Sequence, residues 1–381
     1  MRLFTNDREA RFQERPNRFL IIARDGEEEI VCHCPNPGRL IEFVFPGERL
    51  ILEKRATSGA KTAWTAAAIY HRDTVAPLFA ARANKAAEQL ILPTIIPGLR
   101  EIQREHTIGA SRFDFLCLDD QGKRHLIEVK ACSLIEYEVA MFPDAPSVRA
   151  LKHLEELAEL ANAGYCCHLL FVIVHGTPQV FIPNLHTDPF FAEALSRYGV
   201  DTVEVHAALI RCNPEGNAVL VAESVPVDLS HGDLAGRDSG NYLILLHIPE
   251  EQARAVGSLG TITFAPGWYV YAGSARKNLS RRISRHVRKA GKKNHWHIDY
   301  LTPGARTIQA LPILSYRNLE CDLAQSLREL GGREVPGFGS SDCHCGSHLC
   351  YFEEPPMGNR AFVDTLLRYR HIEGLKRPVP T

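Results

Sequence analysis

Two short segments, Arg112-Phe113-Asp114-Phe115-Leu116 and Leu126-Ile127-Glu128-Val129-Lys130, set two acids and a lysine on either side of a polar Asp-Asp-Gln-Gly-Lys connection. Both flanks alternate or run apolar as strands do, and a Gly-containing connection between them suits a hairpin. Residues two apart in a strand share a face, so Glu128 and Lys130 point together while Ile127 and Val129 pack behind them. Paired carboxylates offer hard oxygen ligands for Mg²⁺ or Mn²⁺, and a lysine beside them can orient a water and offset charge on a phosphoryl oxygen. That set is suited to phosphodiester hydrolysis. Glu128 and Lys130 alone could equally be a solvated ion pair. Asp114 argues for more, because it interrupts the apolar stretch 113–118, where a buried carboxylate without a partner costs several kcal/mol.

A second constellation lies further along. From Arg276 to Lys293 there are nine Lys or Arg and no acid, including Arg276, Arg281, Arg282, Arg285, Arg288 and Lys289. Such a block is an electrostatic footprint for phosphates, and its lack of interspersed acids weakens the alternative of a merely soluble helix face. Tyr242 and Tyr271 stand at strand-like positions upstream of it, and His295 and His297 alternate on a strand-like run after it. Cys343, Cys345 and His348 are soft ligands at close spacing, but a zinc site needs four. Cys321, Cys350 and the two histidines are the nearest candidates for a fourth, so structural Zn²⁺ is the disfavoured reading, though open. Cys32-His33-Cys34 has the wrong spacing to close a site alone and suits packing.

The elements that must hold these residues follow from punctuation. Short β-like runs (19–23, 29–33, 49–53, 63–70) separated by Gly and Pro turns imply a small barrel within residues 1–80. Residues 81–92 form a helical candidate carrying Glu88. After the hairpin, Leu151, Leu154, Leu157, Ala158 and Ala161 recur at helical spacing up to Gly164, and the apolar run 168–174 is a buried strand. The resulting β-β-α-β order spans residues 81–229. Polar, glycine-rich residues 230–239 mark a flexible linker. A second unit, 240–371, opens with strands around Tyr242 and 269–274 and a helix over 278–289, and a tail covers 372–381.

At 381 residues the chain is too long for one ordinary core, and its 45% hydrophobic and 23% charged residues are those of a soluble globular protein. A net charge of −1 gives no global pull toward nucleic acid, so any such affinity must come from local patches. There are eleven cysteines, no apolar signal core at the N-terminus and no run approaching eighteen apolar residues. The expectation is a cytoplasmic protein with reduced thiols and no membrane partner.

Six ordered stretches carry a resemblance: His33-Cys34-Pro35-Asn36-Pro37-Gly38, Asn84-Lys85-Ala86-Ala87-Glu88, Arg112 to Leu116, Glu128-Val129-Lys130, Met141-Phe142-Pro143-Asp144-Ala145 and Lys152-His153-Leu154. Through them, residues from about 11 to 229 resemble the sugar fermentation stimulation protein A family. The resemblance implies an OB-like β-barrel followed by a PD-(D/E)xK restriction-endonuclease-like core, with DNA as partner. It implies Asp114, Glu128 and Lys130 as the catalytic core, Glu88 as the acid of the preceding helix, and DNA contacts at Arg149 and Lys152.

Residues 240 to about 370 resemble the GIY-YIG nuclease superfamily through Gly240-x-Tyr242, Tyr271-x-Gly273-Ser274, Leu279-x-x-Arg282, the 295–301 run, Glu320-Cys321 and the 337–343 run. That resemblance implies a C-terminal α+β domain in which Tyr242 and Tyr271 hold or activate water, Arg282 binds the scissile phosphate and Glu320 holds a metal. Asn241 and Ala272 depart from the pattern. Together these features describe an α/β and α+β multidomain nuclease acting on DNA with Mg²⁺ or Mn²⁺. The rival is a non-catalytic DNA-binding regulator of sugar-utilisation genes. Oligomeric state is not legible in the sequence.

Overall fold

A computed structural model describes residues 1–55 and 61–377, so the last residues of the expected tail, 378–381, lie outside the described residues. The chain divides into two compact units, Met1–Gly232 and Asp233–Thr381.

The first unit begins with strands β1 (Arg8–Asn17), β2 (Leu20–Asp25), β3 (Glu28–His33), β4 (Arg49–Lys54), β5 (Trp64–His71) and β6 (Thr74–Pro77). Strand β1 pairs with both β2 and β4, β2 with β3, and β4 with β5, all antiparallel; a parallel β3–β5 bridge, Cys32↔Trp64 and His33↔Thr65, then closes an OB-type five-stranded barrel. Strand β1 is absent from the runs expected from sequence. Only Ala10 and Phe12 of its ten residues are buried, too few to outweigh the charges around them.

The sheet does not stop at the barrel. It continues through β6 into the strands of a restriction-endonuclease-like layer: β7 (Glu101–Ile108), β8 (Ser111–Leu118), β9 (Arg124–Cys132), then, after the small strands β10 (Leu134–Glu136) and β11 (Val139–Phe142), β12 (Cys166–Ile173), β13 (Val180–Pro183), β14 (Glu204–Cys212) and β15 (Ala218–Ala222). The order β6-β14-β12-β9-β8-β7 has parallel β14–β12 and β12–β9 pairs and an antiparallel β9–β8–β7 edge. A helical segment over residues 80–95, with its Ala87–Ile91 turn wound as a π-helix, packs on one face, and the helix Val148–Asn162 packs on the other. One apolar cluster joins barrel residues Ile51, Ala67 and Val75 to Val129, Leu170 and Ala208 of the layer.

The second unit is built on a five-stranded sheet. Its strands are β16 (Gly240–Ile248), β19 (Gly267–Ala275), β20 (Thr307–Leu314), β21 (Arg333–Glu334) and β22 (Leu349–Phe352), with a β17–β18 hairpin (Gln252–Ala255 and Thr261–Phe264) set apart. Sheet order is β20-β16-β19-β22-β21, antiparallel throughout. Four helices, Leu279–Val287, His297–Leu301, Glu320–Glu329 and Arg360–His371, accompany it. The stretch expected to be a flexible linker carries a short helix, Gly232–Gly236, whose Leu234 and Ala235 are buried. Asp238 accepts hydrogen bonds from the Ser280 amide and hydroxyl, so it caps the basic helix. Among the described residues no helix is long and apolar enough to cross a membrane.

Candidate active site

The β8–β9 ladder ends at Phe115↔Ile127, one residue short of Asp114 and Glu128, which lie near enough for their charges to interact. There the backbone ladder gives way to side chains. Asp114 Oδ2 accepts from the Val129 amide at 2.8 Å, and Oδ1 accepts from the Asn84 side-chain amide at 2.6 Å. Glu128 Oε1 is held by His153 Nδ1 at 2.6 Å and by Lys130 Nζ, while Glu128 Oε2 is buried with no hydrogen-bond partner. From sequence, Asp114 is the carboxylate expected to need a cation. The structure moves that need to Glu128, since Asp114 has two donors.

Electrostatics follow. Burial pushes the Asp114 carboxyl upward and the charge of Glu128 adds to this, against the Val129 amide, Lys130 and Asn84. Burial also pushes Glu128 upward, but His153 and Lys130 together outweigh it and hold the group below the usual carboxylate range. An ionised carboxylate with a bare buried oxygen, near a second acid, is a donor set that fits a hard divalent cation.

Other expected residues are placed differently. Glu88 lies on the π-helical turn, but its carboxylate is taken by Arg104, with Nη2 to Oε2 at 2.7 Å; Asn84, one turn earlier, is the helix residue that reaches Asp114. Lys152 is exposed and pairs with Glu156 at 3.5 Å, whereas its neighbour His153 turns inward to Glu128. Arg149 is exposed at the start of the same helix. Neither Asn84 nor His153 is among the site residues expected from sequence, although each lies within a stretch that carries the family resemblance.

Two more of those stretches meet each other, at Gly38 and Asp144. A Cβ added to Gly38 would lie 1.8 Å from Asp144 Oδ2, because the two loops pack backbone against carboxylate. The Oδ2 atom of Asp144 is itself buried, so the carboxylate cannot simply swing into solvent. Gly38→Ala is expected to lower the stability of the first unit by about 1–3 kcal/mol, the usual cost of overpacking, as a fall in its thermal or denaturant midpoint.

In the second unit, Tyr242 and Tyr271 face a cavity of ≈ 340 Å³ shared with Arg282, His297, Glu320 and Asp342. Gly273 makes this possible, since a Cβ there would come within 2.4 Å of the Tyr242 ring. Burial drives both phenols up, so each hydroxyl keeps its proton at neutral pH. Arg282 donates to the Ser274 carbonyl at 2.7 Å, and Ser274 Oγ donates to Glu320 Oε2 at 2.5 Å. Asn241, which departs from the GIY-YIG pattern, is fully buried: its amide donates to Ser315 Oγ and the Arg317 carbonyl, and its oxygen accepts from the Leu319 amide. It pins the turn that presents Glu320.

The basic block is divided by role. Asp299 receives Arg285 at 3.0 Å, Lys292 at 3.0 Å, His286 at 3.3 Å and the amides of His295 and Trp296. Arg285, expected as a DNA contact, pairs with this internal acid, which lies beyond the acid-free stretch, and also lines the groove beside the helix. Arg276, Arg281, Arg288 and Lys289 remain exposed, and a groove of ≈ 460 Å³ runs between Lys277, Arg281, Arg282, Arg288 and Trp296. The 295–301 run is not a strand. His297–Leu301 is a helix, and His297 Nδ1 accepts from the Gly339 amide.

Family models match the chain in three places: the sugar fermentation stimulation protein N-terminal OB domain over residues 14–77, its RE domain over 81–216, and a domain of unknown function, DUF123, over 241–370. The last coincides with the GIY-YIG-like unit. A sugar fermentation stimulation protein homolog of Pyrobaculum neutrophilum is 36% identical over 57% of this chain and 92% of its own length, and one of Clostridium tetani is 33% identical over 59% and 98%. The structure of Pyrococcus furiosus SfsA in complex with Ca²⁺ is similar at 30% identity and a TM-score of 0.54, over 60% of this chain and 99% of that one. With its barrel, nuclease-like layer and paired acids in this order, the chain belongs to the sugar fermentation stimulation protein family, extended by a C-terminal GIY-YIG-like domain.

Proposed function

We propose that the protein binds DNA and hydrolyses its phosphodiester bonds with Mg²⁺ or Mn²⁺. The carrying observation is the bare, buried Oε2 of an ionised Glu128, set near Asp114 and beside Lys130. Asp114 and Glu128 would hold the ion, and the Ca²⁺ in the Pyrococcus furiosus structure supports a hard-cation site in a relative. When bound, the ion supplies Lewis acidity toward a phosphoryl oxygen and lowers the pKa of a water. Lys130 then has two tasks. Its ammonium compensates the acid pair and orients the attacking water, while His153 fixes the Glu128 carboxylate so that Oε2 stays aimed at the ion. Cleavage of single-stranded, duplex or branched DNA with Mg²⁺ or Mn²⁺, abolished by EDTA, tests the reading. DNA binding without cleavage of any form would leave the regulator as the function.

The second unit supports the same chemistry at a separate centre. Arg282 faces the tyrosine-lined cavity and would receive the scissile phosphate, with Glu320 as metal ligand, whereas Arg288 and Lys289 only attract the backbone. Neutralising Arg288 and Lys289 together is expected to weaken DNA binding for all sequences and flatten its salt dependence by about one unit of slope per lost contact. Arg282→Ala should instead depress turnover of the second unit by about 10²-fold with little change in affinity. Equal, binding-level effects from both changes would reject a catalytic centre there.

A further inference from the structure

The second unit gathers four soft ligands that its sequence scatters. Cys321 sits in the first turn of the helix Glu320–Glu329, Cys343 and Cys345 lie on the loop before β22, and His348 immediately precedes that strand. Their three sulfurs and the imidazole nitrogen all lie within 4.8 Å of one another. Cys343 Sγ is 3.3 Å and Cys321 Sγ 3.9 Å from His348 Nε2. A tetrahedral zinc ion, with Zn–S of about 2.3 Å and Zn–N of about 2.0 Å, spaces its ligand atoms by roughly 3.6–3.8 Å, so this pocket needs only small adjustments to close on one.

Independent features point the same way. The Cys345 amide donates to Cys343 Sγ at 3.4 Å, the kind of bond that stabilises a thiolate. His348 is buried, and its other nitrogen, Nδ1, bonds Glu320 Oε1 at 3.1 Å, which leaves Nε2 as the ligand atom and gives it the carboxylate support usual for a metal-bound histidine. The grouping is not a by-product of cysteine abundance. Cys350, only two residues on, is buried outside the cluster.

We propose that Cys321, Cys343, Cys345 and His348 bind Zn²⁺ as a closed Cys₃His site. Four protein ligands leave no position for water, so the ion is structural. It clasps the 337–348 loop to the start of the 320–329 helix and, through His348, fixes the carboxylate of Glu320 at the rim of the tyrosine-lined cavity. The proposal rests on ligand geometry alone and stands whether or not either unit cleaves DNA.

The test uses the full chain purified without chelator under reducing conditions. Elemental analysis should find stoichiometric zinc, and replacement by Co²⁺ should give the thiolate-to-cobalt charge-transfer band and the intense d–d absorption of a tetrahedral site. Cys343→Ser and His348→Gln should lose both, while Cys350→Ser and Cys212→Ser keep them. Because a ligand variant could fail to fold, thiol labelling of the unmodified chain provides a second measure. Cys321, Cys343 and Cys345 should resist alkylation until zinc is stripped and then react together. A zinc-free chain with no cobalt–thiolate band, labelling of these thiols unaffected by zinc, or a disulfide between two of them in the reduced protein would each overturn the proposal.

Discussion

Asp114→Asn and Glu128→Gln are each expected to reduce metal-dependent DNA cleavage by the first unit by at least about 10²-fold, the scale set by loss of a single preorganised transition-state contact. DNA affinity should stay within a few-fold, because phosphate contacts rather than the ion carry most of it. The two variants differ in one respect. In Asp114→Asn the new side-chain oxygen can still accept from the Val129 amide, so the hairpin keeps its geometry, whereas Glu128→Gln removes the charge that holds Lys130 and His153. Lys130→Ala should lower turnover more than metal affinity, since the lysine bonds Glu128 and is not itself an ion ligand. Cleavage rates against Mn²⁺ concentration, with DNA affinity measured in parallel, separate these outcomes. Unchanged cleavage in both acid variants would assign the activity elsewhere.

Asp299→Asn is expected to destabilise the second unit by about 3 kcal/mol, because breaking a buried ion pair leaves its partners uncompensated. The Lys292 side chain is almost fully buried, and its ammonium would then face only uncharged acceptors, among them the Arg285 and His286 carbonyls and the Thr302 hydroxyl. Lys292→Met, which removes the cation instead, should cost less, as Asp299 keeps Arg285, His286 and two backbone amides. Burial alone would raise the Asp299 carboxyl, but His286, Lys292 and the amides outweigh it and hold the group far below its ordinary value. A carboxyl depressed on folding contributes stability that is fully present above its unfolded pKa of about 4 and is lost as pH falls toward the folded value. Denaturant midpoints of the second unit should therefore fall on acidification below about pH 4 in the parent chain, and less steeply in Asp299→Asn. Parallel acid profiles would mean that another group dominates.

The hairpin bearing Asp114, Glu128 and Lys130 is legible in the sequence because strand periodicity and a glycine turn are local signals, and the helix at 148–162 and strand at 166–173 are legible for the same reason. What escapes depends on contacts distant in sequence. Strand β1 is polar along most of its length and becomes a strand only because β2 and β4 flank it. His153 lies one position from an expected contact, since helical phase alone does not say that the face turned inward at 153 meets an acid on β9. Glu88 is a site acid by family resemblance, and its pairing with Arg104 from β7 depends on a contact that the sequence does not show. The run at 295–301 alternates like a strand over too few residues to exclude a helix, which Asp299 then fixes by accepting the amides of His295 and Trp296. The thiol cluster is hidden for a simpler reason. Its fourth member, Cys321, lies on another element, and the two loop cysteines are spaced more tightly than in familiar zinc motifs.

The twelve-stranded sheet that passes from the barrel through β6 into β14 also limits how this protein can be taken apart. The Met1 ammonium donates to the Ala218 carbonyl, Arg82 is bound to Glu53, and barrel and layer share one apolar cluster. Cutting near residue 80 would expose that cluster on both fragments and strip β14 of its β6 partner, leaving it with β12 and β15. Barrel and nuclease-like layer should therefore melt in one transition, since neither buries its apolar face without the other, and the division between compact units falls only after Gly232.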